Sequence, residues 1–275
     1  MDGFILINKE KGMTSRDVVN MVSKKLNIKK IGHTGTLDPI ATGLMVLCVN
    51  EGCKLVELLT NHDKDYITKV KLGIKTDSYD ITGNIEEERD YELTKEQLLE
   101  TLNSFKGEYL QEVPIYSSVK VNGKKLYEYA REKKKVDLPK HLVSIYDIKL
   151  LDFNKDSFTF FVSVSKGTYI RSLINDIGKK LDICMTMEEL ERERVGNYFL
   201  KDACSINDIK VIPIIDALKI TKIEVDDSLF KKVKNGAKIE NIYKEDKVMF
   251  VKNNIPIAIY NCINDIAKPY CVFNI

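Results

Sequence analysis

The chain has 275 residues, 44% of them hydrophobic, with 43 Lys and Arg against 41 Asp and Glu and a net charge of +2. That length fits one large domain, or one domain with a small companion, and a near-neutral total charge does not by itself announce a nucleic-acid partner. No run approaches the roughly 20 apolar residues of a membrane-spanning helix, and Met1-Asp2-Gly3-Phe4 lacks the basic and apolar regions of a signal peptide, so a cytoplasmic location is expected.

In chain order, Phe4 to Ile7 is a short apolar run that reads as a buried strand. Thr14-Ser15-Arg16-Asp17 has the form of a capping box with Asp in the Glu/Gln place, and Val18, Val22 and Leu26 follow at helical spacing, so a helix is expected to about Lys25. A glycine-rich loop spans Gly32 to Gly43, and the apolar run Leu44 to Val49 is a buried strand or the start of a helix. Tyr66 to Leu72 sets Tyr, Thr, Val and Leu against Ile, Lys and Lys, the alternation of a strand with one buried face. Thr94-x-x-Gln97 opens a helix carrying Leu98, Leu99, Leu102 and Phe105. Phe158, Phe160, Val162 and Val164 alternate as a strand, and Ile170, Leu173, Ile174, Ile177 and Leu181 mark an amphipathic helix. Helices and strands mix without a repeating βα unit, which predicts an α+β fold with a mixed, largely antiparallel sheet and flanking helices. After about residue 220 three short strands, 247–251, 256–260 and 270–274, suggest a small β-rich module, giving expected domains of 1–220 and 221–275.

Local charge is more informative than the total. From Lys120 to Lys140 there are eight Lys and Arg against three Asp and Glu, whereas Glu86 to Glu92 is acidic. A basic run is most often a solvated face, so alone it favours a polyanion only weakly. The six cysteines, at 48, 53, 184, 204, 262 and 271, form no C-x-x-C pair, and His33, His62 and His141 stand apart from them. They read as free thiols and small buried hydrophobes, and no metal site is expected.

The most unusual segment is Gly32-His33-Thr34-Gly35-Thr36-Leu37-Asp38-Pro39-Ile40-Ala41-Thr42-Gly43. Its glycines allow close approach of a ligand, and Pro39 stiffens the loop and pushes Asp38 towards an extended conformation. A carboxylate held on a stiff, tight loop is an aimed group. An isolated Asp-Pro turn would instead use the carboxylate on nearby amides, and a phosphate-cradling loop would need a G-K-[ST] ending that is missing.

Taken with other segments in order, this loop resembles the catalytic motif of the bacterial tRNA pseudouridine-55 synthases. The supporting segments are Lys11 to Ser15, Asp63 to Tyr66 with Gly73 to Gly83, Pro114 to Arg131, Ser165-Lys166-Gly167-Thr168-Tyr169-Ile170-Arg171, and Leu190 to Gly196. The resemblance covers about residues 3 to 200, with departures at Glu10, Val113, Glu191 and Glu193. It implies isomerisation of a T-loop uridine of tRNA, with Asp38 as the catalytic carboxylate, Arg171 as its partner, and Tyr66 and Tyr169 as pocket tyrosines. No cofactor is implied, since the reaction needs neither a redox change nor a group donor. It further implies substrate contacts from His33, Leu190, Asp80 and, on an RNA-binding thumb inserted at about 117–145, Lys120, Lys124, Lys125 and Arg131. The C-terminal module resembles a small PUA-like RNA-binding barrel, and the enzyme is expected to act as a monomer without membrane or guide RNA.

Bland alternatives stand beside several of these residues. His33 caps the loop, Asp80 stabilises a turn, Leu190 is a core leucine. At the level of the whole chain the rivals are a non-catalytic RNA-binding relative, a glycoside hydrolase using Asp38 and Asp80, and the related subunit of guide-RNA complexes. The first is opposed by the joint presence of Asp38, Tyr66, Tyr169 and Arg171. The second leaves the K-G-T-Y-I-R segment unexplained, and the third is opposed by the thumb.

Overall fold

The computed structural model describes residues 1–274. Strand β1 (Gly3–Lys9) leads into helix α1 (Ser15–Leu26); β2 (Ile31–His33) and β3 (Thr42–Val49) flank the glycine-rich loop. Helix α2 (Val56–Thr60) precedes β4 (Lys64–Leu72) and the hairpin of β5 (Ile74–Thr76) and β6 (Ile85–Glu88). Helix α3 (Lys95–Ser104) and β7 (Gly107–Glu112) lead to an excursion of β8 (Lys120–Val121), β9 (Lys124–Lys125) and α4 (Leu126–Arg131). The larger unit closes with β10 (Lys140–Phe153), β11 (Ser157–Val164), α5 (Ile170–Leu181), β12 (Met185–Val195), β13 (Tyr198–Phe199), β14 (Ile212–Pro213) and α6 (Ile214–Ala217). The C-terminal module contains β15 (Thr221–Glu224), α7 (Asp227–Lys234), β16 (Ile239–Glu240), β17 (Lys247–Lys252), β18 (Ile255–Ile263) and β19 (Ile266–Val272).

The main sheet runs β14-β1-β3-β12-β4-β11-β10-β7, with β2 on β3 and β13 on β12. Every pairing is antiparallel except one: β12 meets β3 in parallel, over Glu191 opposite Thr42 and Arg192 opposite Gly43. The sheet is therefore two antiparallel halves joined along a short parallel seam.

One face of the sheet carries α1, α3 and α5, and the main core forms there from Val18, Val22, Leu98, Leu102, Leu173, Ile174 and Ile177 against inward residues of the strands. The opposite face of β1 and β3 is covered by the C-terminal module: Phe4, Leu6, Leu44, Val46 and Cys48 pack with Met249, Val251, Ile259 and Phe273. This explains two sequence patterns at once. Phe4 to Ile7 and Leu44 to Val49 are continuously apolar because both faces are buried. Strand β4 alternates, buried at Tyr66, Thr68, Val70 and Leu72 and partly exposed between, because only one of its faces is covered.

Both capping boxes expected from the sequence are formed. The Thr14 side chain accepts from Asp17 N while Asp17 accepts from Thr14 N at 2.9 Å, and Thr94 and Gln97 do the same. The thumb hairpin turns through Asn122 and Gly123, both at positive φ, as a tight hairpin with Asn-Gly requires. The expected insertion ended near 145, but residues 140–145 already belong to β10, where they pair with β7. In the C-terminal module the expected strand 270–274 is placed earlier, at 266–272. The module also holds a helix that the strand pattern did not suggest, α7, capped by Asp226, whose Oδ1 accepts from Leu229 N at 2.7 Å.

Gly43 sits on the parallel seam at φ +99°, and a Cβ there would lie 2.5 Å from the Arg192 carbonyl oxygen and 2.6 Å from its nitrogen. Backbone on both sides cannot yield as a flexible side chain would. Gly43→Ala is expected to destabilise the protein by at least about 3 kcal/mol, which is roughly 6 °C or more in Tm. Thermal unfolding followed by circular dichroism checks this; a Tm within about 1 °C of the parent would mean the seam is loose.

Candidate active site

The glycine-rich loop between β2 and β3 is tied down from four directions. Ser15, the first residue of α1, donates its hydroxyl to Leu37 O at 3.0 Å and accepts from Leu37 N at 2.8 Å. Gly12 N donates to Pro39 O at 2.8 Å, and Ala41 N closes a turn onto Asp38 O at 3.0 Å. The Lys9 ammonium, fully buried, donates to Met13 O at 2.7 Å, Glu10 O at 3.0 Å and Pro39 O at 3.4 Å. Arg192, also buried, donates to Leu44 O at 2.7 Å and Gly35 O at 3.1 Å. Carbonyls of the loop and of the segments flanking it thus meet cations, which fix the loop's path.

At the tip of this loop Asp38 faces Arg171, from the first turn of α5. Arg171 Nε lies 2.9 Å from Asp38 Oδ2, and Nη2 donates to Asp38 Oδ1 at 3.1 Å, a two-point grip along one edge of the guanidinium. Arg171 is itself held, with Nη1 donating to Ser78 O at 3.1 Å and Nη2 to Tyr116 O at 3.0 Å. Its side chain is almost wholly buried, while that of Asp38 keeps 31% of its surface open. The carboxylate is therefore fixed from behind and presented in front.

In front of it lies a cleft of about 670 Å³, lined by Asp38, Tyr66, Tyr169, Arg171, Leu190 and Arg192 among others. Tyr66 projects from β4, and burial pushes its phenol up, with the Arg192 guanidinium beside it pulling the other way. The Tyr169 phenol is also raised by burial, with the Ser117 hydroxyl opposing. Leu190 sits on β12 opposite Thr68 of β4, on the wall of the cleft. Such a cleft offers an anionic oxygen, aromatic faces and hydroxyls to a flat, polar ring.

The residues singled out from the sequence divide into three groups. Asp38, Arg171, Tyr66, Tyr169 and Leu190 come together at the cleft. The thumb residues Lys120, Lys124, Lys125 and Arg131 lie outside its lining, on the excursion whose Tyr127 reaches the cleft. There Lys124 pairs with Glu132 and stands 5.1 Å from the Tyr129 ring, while Arg131 and Lys125 flank the Tyr127 ring at 5.3 and 5.4 Å. His33 is on β2, beside the cleft but not among its lining residues, with Nδ1 buried and unpartnered. Asp80, expected as a substrate contact or as a turn stabiliser, takes the second role within the chain. Its Oδ1 accepts from Thr82 Oγ1 at 2.5 Å, Thr82 N at 3.0 Å and Ser78 Oγ at 3.0 Å, so it builds the turn whose Ser78 carbonyl receives Arg171.

Three of the departures noted in the sequence also find a place. Val113, standing where a proline is usual, uses the N–H a proline lacks to donate to Pro139 O at 2.9 Å. Glu191 accepts from Thr42 Oγ1 at 3.4 Å, and burial and Glu191 together hold the Glu193 carboxyl above the usual range. Three buried cations were missed: Lys9, Lys64 and Arg192. The signal was present in period two, since Lys64 is two residues before Tyr66 and Arg192 two after Leu190, on the same strand faces.

Comparisons with known proteins bear on the family and the fold. The family model for TruB family pseudouridylate synthase (N terminal domain) matches residues 23–170. tRNA pseudouridine synthase B of Clostridium tetani is 40% identical over 257 residues, covering 90% of this chain and 89% of that protein. The protein of the same name from Lactobacillus acidophilus is also 40% identical, covering 98% of this chain and 97% of its own length. Among solved structures, an H/ACA ribonucleoprotein bound to a substrate RNA containing 2'-deoxyuridine superposes with a TM-score of 0.74 at 22% identity, covering 98% of this chain and 84% of that one; the fold is shared. Among the described residues no cluster of three or more His, Cys, Asp or Glu is arranged to hold a metal, and no helix is long and apolar enough to cross a membrane.

Burial lowers Lys64 to about 8, with the Arg192 guanidinium adding to the effect, while its ammonium donates to His62 O at 2.7 Å and Thr60 O at 3.2 Å. Between about pH 8 and 10.5 the unfolded chain binds more protons at this site than the folded one, so stability rises with pH there. The Tm of the parent minus that of Lys64→Gln is expected to increase across this window and to level off at its ends. Thermal melts of both proteins at matched ionic strength measure it; a flat difference would show that Lys64 titrates as a solvated lysine.

Proposed function

Because the chain belongs to the TruB family of pseudouridylate synthases, we propose that it isomerises a uridine in the T-loop of tRNA, at position 55, to pseudouridine. The observation that carries this reading is the Asp38–Arg171 pair, gripped at two points and opening onto a cleft walled by Tyr66, Tyr169 and Leu190. The N1–C1′ bond of the nucleoside breaks, the uracil turns, and C5 bonds to C1′; the C5 proton leaves and N1 takes one up, with no net change of oxidation state. What such a reaction asks of a protein is an anion at the scissile centre and a pocket that retains the detached base.

Asp38 is the anion in this reading, held by Arg171 in one orientation throughout. The Tyr66 ring stacks on the uracil and replaces the neighbours a flipped base loses, while Tyr169 and Leu190 close the other sides. Extruding the base costs a few kcal/mol, recovered from contacts elsewhere on the RNA. The thumb cations and the C-terminal module supply them. Since the stand-alone relatives match this chain almost end to end, the tRNA is recognised directly, without a guide RNA.

Asp38→Asn keeps the shape of the side chain but not its charge. Pseudouridine formation on an unmodified tRNA transcript is expected to fall by at least about 1000-fold, with the Kd for tRNA changing less than about threefold. Turnover near the parent's would remove Asp38 from the reaction. Replacing Lys120, Lys124, Lys125 and Arg131 together by Gln is expected to weaken tRNA binding and to flatten the plot of log affinity against log salt by up to about four units of contact, fewer if Lys124 stays with Glu132. An unchanged slope in filter-binding titrations would place the phosphate contacts elsewhere.

A further inference from the structure

Helix α5 delivers two cleft residues, Tyr169 as its N-cap and Arg171 in its first turn, yet it has no local cap. Tyr169 contributes no capping side chain, and the hydroxyl of Ser172, at the position where a capping box keeps its Glu or Gln, is buried without a partner. The preceding turn, with Gly167 at φ +80°, is closed by Thr168 Oγ1 donating to Ser165 O at 2.9 Å, and that bond does not reach the Tyr169 amide.

The cap arrives from β7, 58 residues away in the chain. Gln111 Oε1 accepts from Tyr169 N at 2.7 Å, and Gln111 Nε2 donates to Tyr169 O at 3.1 Å. The same Nε2 donates to the Tyr109 phenol oxygen at 2.6 Å. The amide is only 1% exposed and grips both polar groups of one residue, as one strand grips the next across a β-bridge. Its orientation has one solution, because a peptide N–H needs an oxygen and a peptide carbonyl needs an N–H. The gripped carbonyl also accepts from Leu173 N at 3.0 Å, so the clamp holds the peptide that opens the helix ladder. Gln111 does not line the cleft and has no hydrogen bond to Asp38 or Arg171.

We propose that Gln111 is a positioning residue: by clamping Tyr169 at the start of α5 it sets the Tyr169 ring and the Arg171 guanidinium against Asp38, and so governs turnover without contributing to tRNA affinity. This rests on the isomerase reading above. A lost clamp leaves a buried N–H and a half-satisfied carbonyl, and residue 169 relieves both by rotating, which displaces both cleft groups. An error of about 1 Å in such placement costs up to about 100-fold in rate.

The test uses the full chain, an unmodified tRNA transcript, Gln111→Leu and Gln111→Glu. Gln111→Leu is expected to lower the single-turnover rate by about 10- to 100-fold with the Kd for tRNA within about threefold, and hydrogen exchange at the Tyr169 amide is expected to accelerate beyond any change at the core strands. In Gln111→Glu an ionised carboxyl cannot donate to Tyr169 O, whereas a protonated one can. The groups facing it are the Tyr169 N–H at the helix start and the Tyr109 phenol, which favour the anion, and Asp176 of α5 behind that phenol, which with burial disfavours it; none of them lets an ionised carboxyl donate to Tyr169 O. The ratio of variant to parent rate is therefore expected to rise as pH falls. A parent-like rate or unchanged Tyr169 exchange in Gln111→Leu overturns the proposal, as does a pH-independent ratio in Gln111→Glu, which decides alone if Gln111→Leu does not fold. If the parent itself forms no pseudouridine, the isomerase reading fails, and the exchange measurement still decides the clamp.

Discussion

Burying a guanidinium is tolerable only when its charge and its N–H groups are met. Arg171 is almost fully enclosed, and Asp38 is, among the described residues, the carboxylate within ion-pair distance of it. Two carbonyls from distant segments, Ser78 and Tyr116, complete its partners. Removing one member of such a set strands a buried charge, which is more costly than never having built the pair. The constraint therefore runs outward: the loop that carries Asp38, the turn that carries Ser78 and the thumb base that carries Tyr116 must all converge on one side chain of α5. Asp80 fits this logic better than it fits a substrate contact, since it fixes the turn that offers Ser78.

A second set of cations works from beneath. Lys9 and Arg192 hold the carbonyls of Gly35, Pro39 and Leu44, so that the Asp38 carboxylate stands partly open at the loop's tip on a fixed backbone. The desolvated Lys9, lowered by burial to about 8, is the cost of that arrangement, offset in part by the field of Asp38. On the isomerase reading the effect is preorganisation: the anion is placed before substrate arrives, and little reorganisation is left for the reaction itself.

How much of this was legible in the sequence depends on the range of the interaction. The capping boxes at Thr14 and Thr94, the alternation of β4 and the apolar runs of β1 and β3 are local signals, and they gave the elements within a few residues. Ordered motifs gathered Asp38, Tyr66, Tyr169, Arg171 and Leu190, although no local pattern says that residues 38 and 171 touch. Lys9, Lys64 and Arg192 were passed over because a charged residue in a strand reads as solvated unless its neighbours at spacing two are taken as a face. Gln111 left no local trace at all, since its partners lie 58 residues away. The strand 266–272 and helix α7 were misjudged because the module's core is shared: Met249, Val251 and Phe273 are apolar towards the larger unit, while Phe250 and Tyr260 pack in a second cluster with Val233 of α7. A face can be assigned only when what covers it is known.

The parallel seam has a bearing on biogenesis. Strand β12 is inserted between β3 and β4, so the loop bearing Asp38 is locked only when residues 191–192 dock beside residues 42–43. Contacts so distant in the chain close late, after local hairpins and helices have formed. A nascent chain emerging from the ribosome therefore carries Asp38 long before it carries the finished cleft around it. On the isomerase reading, synthesis must pass β12 before the polypeptide can act on RNA, so that topology alone sets the order in which the chain is made and becomes active.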